Sequence, residues 1–376
     1  MRKLIGCTLL IALTAAACSY WYWTQQREVG HYLSDLRVEL AINDGVDAGR
    51  GNLLGIEPEL SPRDFQSVPL VRLKLAAYLD AARDAGLLND KTIVVLPEHI
   101  GTWLMFRGEK NELYQAANLN EAMGWLSVSN PLAFASAWVR AEGESRLNDA
   151  HLRMKASSMA ADYQALFGGL AKDYGITVVA GSIALPNPHI ENGALRSGSG
   201  PLYNSSVVFG REGVPLGKPQ RQLLPTYEEQ SYIQPSPDHE QQVIETPAGR
   251  LGILVGSDSW YPENYRALNE QQVQIIAVPA FVVGKETWEK PWGGYKSVST
   301  PSEISLKPGE VSEGAAWHRL TLISSVPTST AQAGITVFMR GKLWDQHSAG
   351  QSFISHNGMT SPDRPVSSAR LLNHWL

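Results

Sequence analysis

The sequence predicts an α/β domain from about residue 50 onward, preceded by an N-terminal hydrophobic signal or anchor segment. Three observations predict it. Short β-branched apolar runs recur along the body, stretches of helical periodicity alternate with them, and the first two dozen residues combine a basic start with an uncharged apolar run. A chain of 376 residues, 43% hydrophobic and 18% charged, is globular in composition. Its net charge of -5 and the lack of a dense Lys/Arg run give no basis for a nucleic-acid partner.

Residues 1–24 read as a signal peptide or membrane anchor. Arg2 and Lys3 precede the apolar stretch Leu4 to Ala17, and Tyr20-Trp21-Tyr22-Trp23 follows Cys18. A signal peptide cut after Ala17, a lipoprotein signal cut before Cys18 and an uncleaved helix from Leu4 to about Trp23 all fit. The aromatic cluster suits an interfacial belt, which favours the uncleaved helix. Each reading leaves the basic residues inside and sets the body on the extracytoplasmic, periplasmic side.

Residues 25–50 read as a linker with a short helix, and 51–376 as the domain. Asn52 to Ile56 is a strand, Leu70 to Ala85 a helix and Thr92 to Leu96 a buried strand stopped by Pro97. Residues 107–159, irregular and rich in Trp and Ala, read as a helical insertion. Trp103, Trp125 and Trp138 suit core packing or lipid contact better than a pocket wall. A helix over Tyr163 to Tyr174 follows, then strands over Ile176 to Ala180 and Ser205 to Phe209, the latter closed by the turn Arg211-Glu212-Gly213. Strands at Leu251 to Val255 and Ile275 to Val278 flank a helix over Glu263 to Glu270. Strands at Gly334 to Phe338 and Gln351 to Ile354 come last. There is no internal repeat and no low-complexity tract.

The two cysteines, Cys7 and Cys18, both lie in the N-terminal segment. The body therefore has no disulfide, no Cys-based metal site and no thiol nucleophile. His318 and His347 lack metal-ligand spacing, and Gly198-Ser199-Gly200 matches no phosphate loop. No cofactor or metal is expected.

Four blocks, in order and at sensible separations, resemble the nitrilase, or carbon–nitrogen hydrolase, superfamily over about residues 50 to 355. Val94-Val95-Leu96-Pro97-Glu98 is similar to the strand that delivers the family's catalytic glutamate. Leu170 to Ile176 with Val179-Ala180-Gly181-Ser182 is similar to a helix–strand pair, and Tyr203-Asn204-Ser205-Ser206-Val207-Val208 with Gly213 to a hairpin. Arg250-Leu251-Gly252-Ile253, Asp258 and Tyr261-Pro262-Glu263 resemble the nucleophile block. The resemblance implies a four-layer αββα sandwich, commonly paired with a second copy as a homodimer. It implies attack by a cysteine on a nitrile or amide carbon, with a glutamate as base and a lysine stabilising the intermediate. Leu223-Leu224-Pro225 followed by Glu228-Glu229 is similar to the lysine region of the membrane-bound lipoprotein N-acyltransferases.

Carried over residue by residue, the catalytic set is Glu98, Arg221 and Gly256. Glu98 fits the base position. The lysine falls on Arg221 counting from Gly217, or on Gln220 counting back from Leu223-Leu224-Pro225. Arg221 cannot shuttle a proton, and an ion pair with Glu98 is the expectation for it. Glu228 and Glu229 compete for a second glutamate. The cysteine falls on Gly256, which has no side chain. Ser257 beside it offers a hydroxyl that needs a base, while His99, adjacent to Glu98, is expected to diverge from it. The expectation is a membrane-tethered, catalytically inactive relative, its triad positions vestigial, that binds a small molecule, lipid or protein. The alternative is a working amide hydrolase or acyl-transferase using Ser257.

Overall fold

The computed structural model describes residues 2–27, 30–237, 240–297, 300–321, 330–356, 359–361 and 368–376. Two sheets lie face to face. The first runs in the order Val38–Asp44, Ala369–Trp375, Asn52–Glu57, Ile93–Val95, Thr177–Val179, Leu202–Phe209, Pro215–Arg221, with Ile183–Pro186 also pairing with Leu202–Phe209. The second runs Val243–Thr246, Gly249–Ile253, Ile275–Pro279, Ala333–Val337, Phe353–His356, Met359–Thr360.

Three separate cores show that the sandwich has four layers. Leu53, Ile93 and Val95 meet Leu251, Ile253 and Ile275 between the sheets. Their chain neighbours Leu54, Val94 and Leu96 point the other way, into a helical layer that includes Leu75, Leu79 and Leu170. On the far side, Ile276 and Val278 pack under Tyr265, Leu268, Trp317 and Leu320. Strands buried on both faces carry apolar residues at every position, which is why they read from sequence as unbroken apolar runs. The sheets approach so closely that a Cβ on Gly55 would stand 2.6 Å from Ile335 Cδ1.

The predicted elements recur with shifted ends. Helices cover Val68–Asp84 and Pro262–Glu270. The stretch 107–159 carries helices Asn111–Gln115, Leu119–Ser129 and Pro131–Arg140, and residue 159 falls inside a fourth, Arg146–Tyr163. That helix continues through a π-helical turn, Gln164–Gly168, into Gly169–Tyr174.

Two strands depart from the sequence expectation. Residues 25–50, expected as a linker with a short helix, contain the strand Val38–Asp44; residues 28–29 lie outside the described residues. Its parallel partner, Ala369–Trp375, has no strand pattern in the sequence, yet it lies between Val38–Asp44 and Asn52–Glu57. Polar residues break its apolar pattern, and each has a polar partner in a distant part of the chain. Asn373 Oδ1 accepts from Asn52 Nδ2 at 2.5 Å, His374 Nδ1 lies 2.8 Å from Asp44 Oδ2, and Arg370 lies 3.7 Å from buried Glu57.

The N-terminal helix, Arg2–Gln25, contains over Lys3–Gln25 a span long and apolar enough to cross a membrane, exposed over residues 3–22 and buried at Thr24.

Candidate functional site

At the ends of the central strands a cavity of about 840 Å³ opens, lined by Glu98, His99, Gln222, Glu229, Ser257 and Trp260 among others. The strand Ile93–Val95 delivers Glu98 to its floor, as parallel strands in α/β sheets commonly do for ligand groups. The Glu98 carboxyl is buried, 4% exposed, and Oε1 accepts a hydrogen bond from Asn204 Nδ2 at 2.9 Å. The same Nδ2 lies 3.0 Å from Gln222 Oε1. Burial pushes the Glu98 carboxyl up to about 8; His99 opposes the shift, while the charges of Glu229 and Asp258 add to it.

His99 does not diverge from Glu98. Its φ of 62° places it in the left-handed region, uncommon for a side-chain-bearing residue, and its N–H donates to Ser182 Oγ at 2.8 Å. That turn brings Nε2 to 3.2 Å from Glu229 Oε1 and 3.9 Å from Glu98 Oε1. Nδ1 lies 3.4 Å from Thr102 Oγ1. Burial works to lower the His99 pKa, but the Glu229 hydrogen bond and the charges of Glu98 and Glu229 carry it above its ordinary value. Burial likewise works to raise Glu229, yet His99 and two hydrogen bonds from Thr226, 2.9 Å from N–H and 2.8 Å from Oγ1, hold it below the usual range. The shifts of His99 and Glu229 both run toward the charged forms, beside a Glu98 carboxyl whose shift favours its proton.

The structure separates the two glutamates. Glu229 turns into this cluster, whereas Glu228 is exposed at the cavity rim. Arg221 makes no ion pair with Glu98. Its guanidinium lies 4.0 Å over the Tyr203 ring and donates to Asn187 Oδ1 at 2.8 Å. Gln220 bonds the carbonyls of Arg221 and Glu240. Neither lines the cavity. Gln222 does, because the strand ends at Arg221 and the chain turns inward there. The cue in the sequence was a polar residue directly before the buried pair Leu223-Leu224.

Gly256 opens the turn Gly256–Trp260 with φ 54°, and its open side faces Glu98. A Cβ there would stand 2.7 Å from Glu98 Oε2 and 2.9 Å from Oε1. The carboxyl fills the space where a side chain at 256 would begin. Ser257 lines the cavity, but Oγ donates to the Leu224 carbonyl at 3.3 Å and has no hydrogen bond to a base among the described residues. Asp258 binds the adjoining segment: Oδ2 accepts from Leu223 N–H at 2.8 Å and Oδ1 from Leu224 N–H at 2.7 Å. Burial nonetheless raises its carboxyl to about 7.

Trp103 and Trp260 supply apolar wall. The insertion contributes Leu119, Asn120 and Met123, while Trp125 packs against Trp23 and Trp138 is exposed. Lys296 reaches the rim and pairs with Glu313 at 3.7 Å rather than with Glu98. Among the described residues, Glu98, His99 and Glu229 form a group able to hold a metal ion, their ligand atoms within 4.8 Å of one another. Two of the three, His99 and Glu229, are already joined by the 3.2 Å contact.

The model of the carbon–nitrogen hydrolase family matches residues 74–294. The deaminated glutathione amidase of Yersinia enterocolitica is 26% identical over 176 residues, 44% of this chain and 54% of that one. The N-carbamoylputrescine amidase of Arabidopsis thaliana is 30% identical over 87 residues, 22% of this chain and 28% of that one. The chain thus spans between about a quarter and a half of the length of these curated relatives. Among solved structures, Nit3 of Saccharomyces cerevisiae, a nitrilase-superfamily member, superposes with a TM-score of 0.50 at 13% identity, covering 86% of this chain and 89% of that one. An amidase from Nesterenkonia sp. AN1 gives a TM-score of 0.48 at 16% identity, covering 88% and 92%.

Proposed function

We propose that this chain, which belongs to the carbon–nitrogen hydrolase family, is a membrane-tethered member that binds a small molecule or lipid in its cavity and carries out no thioester chemistry. The observation that supports this most is the pairing of Glu98 with a glycine. Position 256 faces the carboxyl at side-chain distance and offers no nucleophile, and the sequence holds no cysteine beyond Cys18. Neither Arg221 nor Gln220 lines the cavity, and Gln222, which does, is a neutral amide that can orient a ligand but cannot counter a developing negative charge as an ammonium does. What remains is a cavity with apolar walls and a polar floor of Glu98, Asn204, Gln222 and the His99–Glu229 pair, a composition suited to holding a ligand with an apolar body and a polar end.

The apolar N-terminal helix supports the tether, and Arg2 and Lys3 ahead of it favour an extracytoplasmic body. The test is turnover of a library of amides, nitriles and esters by the purified full chain, with mass spectrometry of the protein for covalent acyl adducts. No turnover and no adduct is expected. Turnover that disappears in Ser257→Ala would instead establish a hydrolase or acyl-transferase working through that hydroxyl.

A further inference from the structure

The helix Pro131–Arg140 is apolar on nearly every side, Pro-Leu-Ala-Phe-Ala-Ser-Ala-Trp-Val-Arg, yet only Ala137 in it is buried. Leu132 is 69% exposed and Val139 80%, with Trp138, Val128 and Leu147 also exposed beside them. Its one charged residue is Arg140, at its end. A helix with this composition has no reason to face water on most of its circumference; such surface marks a site where another apolar phase arrives.

The neighbouring contacts say which phase. The C-terminal end of the apolar N-terminal helix is fastened to this same insertion. Tyr20 Oη donates to the Val128 carbonyl at 2.6 Å, Trp23 packs against Trp125 with ring centroids 6.4 Å apart, and Lys110 Nζ sits 4.1 Å over the Trp23 ring. Just beyond, Arg27 bonds Glu109 at 2.9 Å and the Ser129 carbonyl at 2.9 Å. Tyr20 to Trp23 are the residues that sit at headgroup level if the helix crosses a bilayer. Val128, bonded to Tyr20, and the apolar helix that begins three residues later are then held at the same level. Trp138 and the guanidinium of Arg146, 5.4 Å from its ring, complete an aromatic and basic edge suited to the headgroup zone. Exposed Glu142 and Glu144 in the next turn limit the depth to the interface.

We infer that the helix Pro131–Arg140 lies in the membrane interface, with Leu132 and Val139 in the headgroup–acyl boundary, as a second lipid contact alongside the N-terminal helix. This rests on the reading of that helix as membrane-crossing, and the experiment separates the two. The full chain, with Cys7→Ser and Cys18→Ser, is given single cysteines by Leu132→Cys, Val139→Cys, Leu10→Cys within the N-terminal helix, or Leu73→Cys as an exposed control on another helix. Each is labelled with an environment-sensitive fluorophore and reconstituted into phosphatidylcholine–phosphatidylglycerol vesicles containing lipids spin-labelled high on the acyl chain. Positions 132, 139 and 10 are expected to be quenched several-fold more than position 73. Quenching at 10 with 132 and 139 at the level of the control overturns the inference and leaves the tether standing. No quenching at 10 removes both. Blue-shifted emission at 132 and 139 without lipid quenching points to a protein surface and overturns the inference as well.

Discussion

Replacing Glu98 by glutamine tests the electrostatics of the site most directly. In the folded protein burial lifts this carboxyl from 4.5 to about 8. Between those two pH values the folded state holds a proton that the unfolded chain releases, so stability falls as pH rises through the window. At about 1.4 kcal/mol for each tenfold change in proton affinity, the ceiling on this loss is about 5 kcal/mol. Side-chain relaxation and water entering the cavity reduce it, and an effect of about 2–3 kcal/mol is the working expectation. Glutamine keeps the shape and the Oε1 acceptor for Asn204 Nδ2 while removing the ionisation. Glu98→Gln should therefore match wild type near pH 4 and exceed it at pH 9, by about 4–6 °C in Tm at about 2 °C per kcal/mol for a chain of this size. Thermal unfolding followed by circular dichroism across pH 4–9 reads the difference. Asp258, raised to about 7, and His99, also raised, weaken the fold in the same direction as pH rises, so only the difference between variant and wild type isolates Glu98. A difference between variant and wild type that stays constant across pH 4–9 would refute the account, because it would show that folding leaves the affinity of Glu98 for its proton unchanged.

Further outcomes follow from the same geometry. Gly256→Ala should destabilise by about 1–3 kcal/mol, through left-handed strain and a Cβ 2.7 Å from Glu98 Oε2; in a Glu98→Ala background the steric part should vanish, which denaturant unfolding of the double-mutant cycle measures. Arg221→Ala should change any ligand affinity by less than about twofold, since Arg221 stacks on Tyr203 outside the cavity, whereas Gln222→Ala should weaken binding of ligands that reach Asn204; calorimetric titration distinguishes them. Arg27→Ala leaves buried Glu109 with Lys155 and Asn130 as partners. It should cost about 1–3 kcal/mol and speed limited proteolysis between the N-terminal helix and the body.

What the sequence disclosed follows from how each element is buried. Strands such as Ile93–Val95 and Ile275–Pro279 are apolar on both faces and stand out without context. Ala369–Trp375 hides because Arg370, Asn373 and His374 are paid for by partners more than 300 residues earlier in the chain, Glu57, Asn52 and Asp44, which no local pattern can reveal. Val38–Asp44 hides because it is an edge strand with only Ala41 buried. At the site, Glu98 and Gly256 were legible from their flanking motifs. His99 was not: its approach to Glu98 depends on a positive φ, which adjacency in sequence argues against. Gln222 escaped because an alignment fixes spacing but not where a strand ends and its chain turns inward.

The placement of Ala369–Trp375 also sets the order in which this molecule can be made. Asn52–Glu57 pairs with it on one side and Val38–Asp44 reaches the sheet only through it. Until ribosomal synthesis has passed residue 375, the larger sheet is missing an inner member: Asn52–Glu57 can pair only with Ile93–Val95, and Val38–Asp44 has no strand to join. Closing so distant a loop is slow, so Val38–Asp44 waits, unpaired, for its partner, and Asn52–Glu57 stands as a sheet edge until then. A truncation of only a few residues at that strand should therefore damage the sandwich more than the loss of an entire surface helix.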